Sequence, residues 1–238
     1  CAKWIKKIYS ADRIEDYVDM AFTAAASGKP GPAVLLCPQD IFNDKTVRPV
    51  PSSRKASLGH YPLDRFVPEQ DAVKEAAELL LNAENPLVYA GGGIFSSKAV
   101  DEIRELQKEF SLPVATTTMG KGAVDETDPL SVGVIGYYMG HRSATKFMKP
   151  LVQKSDVILL VGNRTNQNGT DTWTLLPEDA KYIHIDIDPM EIGRNYEAVR
   201  LLGDAKLTLR ALIDEMKKGD VSKRASKKDA VAAEIASG

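Results

Sequence analysis

Short, nearly uninterrupted apolar runs alternate with longer amphipathic stretches over most of the chain. Pro86-Leu-Val-Tyr-Ala90, Leu112-Pro-Val-Ala-Thr116, Asp156-Val-Ile-Leu-Leu-Val161, Tyr182-Ile-His-Ile-Asp186 and Val199-Arg-Leu-Leu202 read as strands, with a short further one over 132–135. The spacing between them predicts helices over 69–83, 97–110, 142–153 and 205–217. Strands apolar on both sides and separated by helices imply a parallel sheet covered on each face. Right-handed crossovers then give an α/β domain over 69–219, a doubly wound, Rossmann-like parallel sheet.

The flanks read differently. Ser10 as N-cap, with Ile14, Val18, Ala21 and Ala25 at helical spacing, predicts a helix over 10–28, broken by Gly28-Lys29-Pro30-Gly31-Pro32. Ala33-Val-Leu-Leu-Cys37 follows as an apolar strand. One strand cannot bury itself, so residues 1–48 are expected to lack their sheet and to be loosely held. Residues 49–68, with Pro49, Pro51, Pro62 and Pro68, read as an extended linker. Residues 220–238, with Lys223, Arg224, Lys227 and Lys228, read as a solvated linker or short terminal helix leading to a further domain.

Composition narrows the partners. Of 238 residues, 43% are hydrophobic, as in an ordinary globular protein, and the formal charge of -2 offers nothing to a polyanion, so nucleic acid is not expected. Cys1 and Cys37 are too few for a disulfide framework and fit a reduced setting. No apolar run approaches the roughly 20 residues of a membrane helix and no signal peptide precedes the first helix, so no membrane is expected and a cytoplasmic location is. A start at Cys1 rather than Met suggests a piece of a longer polypeptide.

In doubly wound sheets ligands lie beyond the carboxyl ends of the strands. Gly91-Gly92-Gly93 follows the first of these strands, where glycines and the next helix could receive a phosphate or simply make a tight turn. It is not a nicotinamide fingerprint, because Ser96 stands where GxGxxG needs glycine and the second strand ends in Thr116-Thr117-Thr118 rather than an acid. Thr116 to Gly122, with Thr117, Thr118, Met119 and Lys121, could line a polar cleft or form a flexible loop. Arg164, three residues past an apolar strand, suits a diphosphate through its planar fork, or could pair with a surface carboxylate. Asp186 at a strand end suits ribose hydroxyls, while Asp188 before Pro189 suits a helix cap. Four such polar ends favour an adenine-nucleotide-like ligand.

Several stretches, in order, resemble the thiamine-diphosphate enzymes, closest to acetolactate synthases. Ser27-Gly-Lys-Pro-Gly-Pro-Ala-Val-Leu-Leu-Cys-Pro-Gln-Asp-Ile41 is similar to the end of that family's N-terminal pyrimidine-binding domain, and Asn85-Pro-Leu-Val-Tyr-Ala-Gly-Gly-Gly-Ile94 to the opening of its central domain. Thr116 to Gly122, Asp156 to Gly162, Ile183 to Asn195 and Leu202 to Lys206 follow in family order. The resemblance implies a central domain that holds FAD structurally, or ADP as in oxalyl-CoA decarboxylases. The residues it implies are Gly91, Gly92, Gly93, Thr117, Thr118, Met119, Arg164, Asp186, Ile187 and Asp204. It implies a homo-oligomeric parent, dimer or tetramer, acting on a 2-keto acid such as pyruvate, with an acyl-CoA lyase as the alternative and a non-catalytic nucleotide-binding or assembly module as another. Thr165-Asn166-Gln167-Asn168 departs from the FDDR usual after the arginine, and Gly136 to Arg142 from the GMHG-like loop.

Thiamine diphosphate and Mg2+ are expected in the parent only. Gly203-Asp204 begins no complete GDG…N diphosphate motif, and the family's pyrimidine-activating glutamate would precede residue 1. No catalytic residue and no metal ligand is assigned. His184 reads as a packed core residue, His60 lies in the linker, and His141 stands in a site-like loop.

Overall fold

The strand expected at residues 33–37 does find a partner. The computed structural model describes residues 2–45, 58, 60–137, 139, 140, 142, 143 and 145–238, in two units, Cys1–Arg65 and Phe66–Gly238. In the first, β1 (Trp4–Lys7) pairs in parallel with β2 (Ala33–Leu36) through α1 (Ile14–Ala26). A strand at Trp4–Lys7 escapes a sequence reading because Trp4-Ile-Lys-Lys carries no apolar run. Its register, Ile5 opposite Val34 and Lys7 opposite Leu36, puts Ile5, Val34 and Leu36 on one face, and all three are exposed. The helix predicted from Ser10 begins instead as a 3-10 turn over Ala11–Arg13, and α1 buries no residue fully. A short α2 (Gln39–Phe42) follows. Much of the linker at 49–68, including Pro49 and Pro51, lies outside the described residues.

The second unit begins its regular structure with α3 (Gln70–Asn82), then β3 (Pro86–Ala90), α4 (Gly93–Ser97), α5 (Val100–Phe110), β4 (Val114–Thr116) and β5 (Ser131–Val134). The helix expected at 97–110 is α5, and α4 is a separate short helix before it, ended at Lys98 in the left-handed region. Then come α6 (Lys149–Gln153), β6 (Val157–Val161), β7 (Lys181–Asp186), β8 (Ala198–Leu202), α7 (Ala205–Met216) and α8 (Ser222–Ser237). The six strands are parallel, ordered β5-β4-β3-β6-β7-β8. Chain order therefore runs outward to one side from β3, then returns and runs outward to the other from β6, which is double winding with its switch point between β3 and β6.

Each apolar run divides its side chains between two cores, as strand periodicity requires. Val88, Ala90, Leu159, Val161, Ile183 and Ile185 join α3, α5 and α7 in one. Leu87, Tyr89, Ile158, Leu160 and Tyr182 join Leu151, Val152 and Leu175 in the other. Of the two alternatives for residues 220–238, the helix is found, and it is 16 residues long, α8. Lys223 and Lys227 pair with Glu84, the buried Arg224 donates to the Ala83 carbonyl (2.7 Å), and Ile235 packs on the second core. Charged residues that look solvated in sequence are thereby docked at the carboxyl end of α3, where its macrodipole favours cations.

Candidate nucleotide site at the switch point

β3 and β6 end in register, Ala90 beside Val161, and their loops then press together. Gly91 N–H donates to the Val161 carbonyl (2.8 Å) and Gly93 N–H to that of Gly162 (3.1 Å). Gly162 is left-handed at φ +55, and a Cβ on Gly91 would lie 2.2 Å from its carbonyl oxygen. Backbone meets backbone here, so both positions need glycine. The N–H groups of Gly91 and Gly93 are turned to β6 and its loop rather than toward a phosphate, and α4 is only five residues long.

At the β4 end, Thr117 N–H donates to the Ala90 carbonyl (2.9 Å), and its Oγ1 accepts from Gly120 N–H (3.0 Å). That pinned turn leaves Thr118 exposed and Met119 74% exposed. Lys121 is paired with Glu126 (2.8 Å).

Past β6, Asn163 and Thr165 are buried and Arg164 between them is exposed. Asn163 Oδ1 accepts from Thr165 N–H (2.9 Å), while its Nδ2 has no partner among the described residues. The Thr165 carbonyl accepts from Trp173 Nε1 (3.0 Å) and Asn195 Nδ2 (2.8 Å). Its two pinned neighbours, Asn163 and Thr165, thus leave Arg164 directed to solvent. Trp173 and Asn195 lie 8 and 30 residues from Thr165, too far for a sequence pattern to connect them.

At the β7 end, Asp186 is buried, its Oδ1 accepting from Asp188 N–H (2.9 Å), and burial pushes its carboxyl above the ordinary range. Ile187 beside it is half-buried. Asp188 Oδ1 accepts from Met190 N–H (3.0 Å), closing a turn rather than starting an α-helix. His184, in the same strand, sits in the core as expected. Its Nε2 lies 2.9 Å from the Asn163 carbonyl, which can only accept, and its Nδ1 accepts from Gly193 N–H (3.4 Å). Burial lowers its pKa to about 4. His141 lies outside the described residues.

Asp204 stands apart from the other expected residues. It is buried as the N-cap of α7, one oxygen accepting from Leu207 N–H (3.2 Å) and the other from Ser97 Oγ (2.7 Å). It ties α4 to α7. Among the described residues no group of three His, Cys, Asp or Glu could hold a metal. No helix among them is long and apolar enough to cross a membrane. An open groove of about 1090 Å³ includes Tyr182, Tyr196 and Arg200, together with Trp173 and Asn195, which hold the Thr165 carbonyl. Lys181 and Ala198, the first residues of β7 and β8, also line it.

Residues 73–212 match the family model described as the thiamine pyrophosphate enzyme central domain. A probable acetolactate synthase large subunit from Methanococcus aeolicus is 35% identical over 214 residues, covering 88% of this chain and 34% of that protein. An acetolactate synthase from Arthrospira platensis is 37% identical over 191 residues, covering 79% and 32%. Among solved structures, benzoylformate decarboxylase from Polynucleobacter necessarius superposes with a TM-score of 0.72 at 22% identity, over 91% of this chain and 38% of that one. The chain spans about a third of the length of the curated relatives it matches.

Proposed function

The chain belongs to the thiamine pyrophosphate enzyme central-domain family, and from that premise we propose that it is the middle portion of an acetolactate-synthase-like enzyme acting on 2-keto acids such as pyruvate. Its own task in that enzyme is to bind FAD or ADP at the β3–β6 switch point. The observation that carries this reading is the pairing of an outward cation and a buried carboxylate on adjacent strand tips, Arg164 after β6 and Asp186 ending β7. Arg164 would take the diphosphate bidentately, and Asp186 would accept from ribose hydroxyls. Gly91 to Gly93 would form the floor, with Thr117, Thr118, Met119 and Ile187 alongside. Asp204 would act at a distance, by fixing α4 on α7. When bound, the nucleotide supplies order rather than electrons.

Residues 1–48 are, in this reading, the end of a pyrimidine-binding domain. The exposed apolar face of Ile5, Val34 and Leu36 supports it, because such a face asks for a covering layer. Thiamine diphosphate and Mg2+ are assigned to the rest of the enzyme, which we place in the cytoplasm as a homo-oligomer. The acetolactate synthases among the relatives favour this over an acyl-CoA lyase.

The test is equilibrium binding of FAD and of ADP to the purified chain and to its Arg164→Gln variant. Binding of either, weakened about tenfold or more in the variant, supports the site. A chain that binds neither ends the nucleotide reading. Turnover of pyruvate by this chain alone, with thiamine diphosphate and Mg2+ added, would end the assignment of the chemistry to the rest of the enzyme.

A further inference from the structure

Met119 is 74% exposed and Met190 78% exposed. Single exposed apolar side chains are ordinary, but these two occupy matching places. Met119 follows β4, the neighbour of β3, and Met190 follows β7, the neighbour of β6. They are the second strands outward on either side of the switch point, three strand spacings apart, or about 14 Å. Both sit on pinned turns. Met119 lies within the turn closed by Thr117 and Gly120, packed beside Gly92. Met190 donates its N–H to Asp188 Oδ1, and the Pro189 carbonyl before it accepts from Arg200 Nη2 (2.9 Å). Little backbone order would be lost on seating a ligand against either side chain.

Along the strand tips the order is then Met119, Gly92, Arg164, Asp186 and Met190. In chemical terms this is apolar surface, close backbone, cation, carboxylate, apolar surface. That sequence matches ring, linker, diphosphate, ribose and ring. Resting on the nucleotide reading above, in which Met119 already lies alongside the second ring of a dinucleotide, we propose that Met190 is a ring-packing residue of the site, covering the adenine held on the Asp186 side. Thioether against aromatic ring is a favourable contact that tolerates variation in ring position.

Met190→Ala, Met190→Leu and Met119→Ala are compared with the unaltered chain for ADP and FAD binding by calorimetry, with thermal unfolding as the control for folding. Met190→Ala is expected to weaken both ligands about five- to tenfold, and Met190→Leu to retain most of the affinity. Met119→Ala is expected to weaken FAD and spare ADP. Unfolding temperatures should be unchanged, because both side chains are exposed. Full ADP affinity in Met190→Ala overturns the proposal while leaving the nucleotide site standing. An unaltered chain that binds neither ligand removes the site itself and this proposal with it.

Discussion

Buried between Asn163 and Gly193, His184 is held neutral, its pKa lowered to about 4 first by burial, with Arg200 also contributing. Between pH 6.5 and about 4 the unfolded chain gains a proton there that the folded chain refuses. Its contribution is therefore complete above pH 6.5 and declines as pH falls, by about 3 kcal/mol in total. Asp186 has the opposite sign. Its raised pKa favours the fold below the ordinary carboxylate range and loses that contribution as pH rises through the folded value, so it partly offsets the loss at the acid end. Urea unfolding at pH 7.5 and 4.5 should show a steeper loss for the unaltered chain than for His184→Gln; equal losses would refute the assignment. At this scale the sequence identified His184 as core and Arg164 and Asp186 as tip residues, since strand patterning alone places them. It could not show that the N–H groups of Gly91 and Gly93 are taken by β6, a strand more than sixty residues away.

Among the elements, α8 shows how charge pattern misleads. Lys223, Arg224 and Lys227 fall on its first turns and converge on the carbonyls of Asn82, Ala83 and Glu84. Lys223 first, and Lys227, hold the Glu84 carboxyl down at about 2. Arg224 is the buried member, its guanidinium pulled below its usual value by burial. Arg224→Ala should cost about 1–2 kcal/mol in urea unfolding, through a lost buried hydrogen bond and lost packing. Lys227→Ala, at the surface, should cost under about 1 kcal/mol. Equal costs would mean that α8 is held by surface charge alone. A second charged array joins α5 to α7, Glu102, Glu105 and Glu109 facing Lys206, Arg210 and Lys217. Both helices are legible from spacing, but their pairing is not.

Across the whole molecule, apolar burial is divided unequally. Among the described residues of Cys1–Arg65, Ile8 and Ala11 are the buried apolar side chains, whereas Phe66–Gly238 holds two extensive cores. Stability follows buried apolar area, so the second unit should stand alone. A chain shortened to Phe66–Gly238 is expected to unfold cooperatively at the midpoint of the main transition of the full chain. Hydrogen exchange in the full chain should be fast in β1 and β2 and slow in β3 and β6. Strong protection across residues 4–7 and 33–36 in a monomer would contradict this.

Alternation of apolar runs with amphipathic segments was enough to determine a parallel, doubly wound sheet, because two-sided burial demands continuous apolar strands and local periodicity records it. The family motifs are likewise local and legible. Tertiary structure alone decided three things: the β1–β2 pairing, the docking of α8, and which groups at the strand tips are already hydrogen-bonded to each other. Each depends on contacts between residues far apart in the chain, and the free energy of such a contact leaves no periodic trace along it.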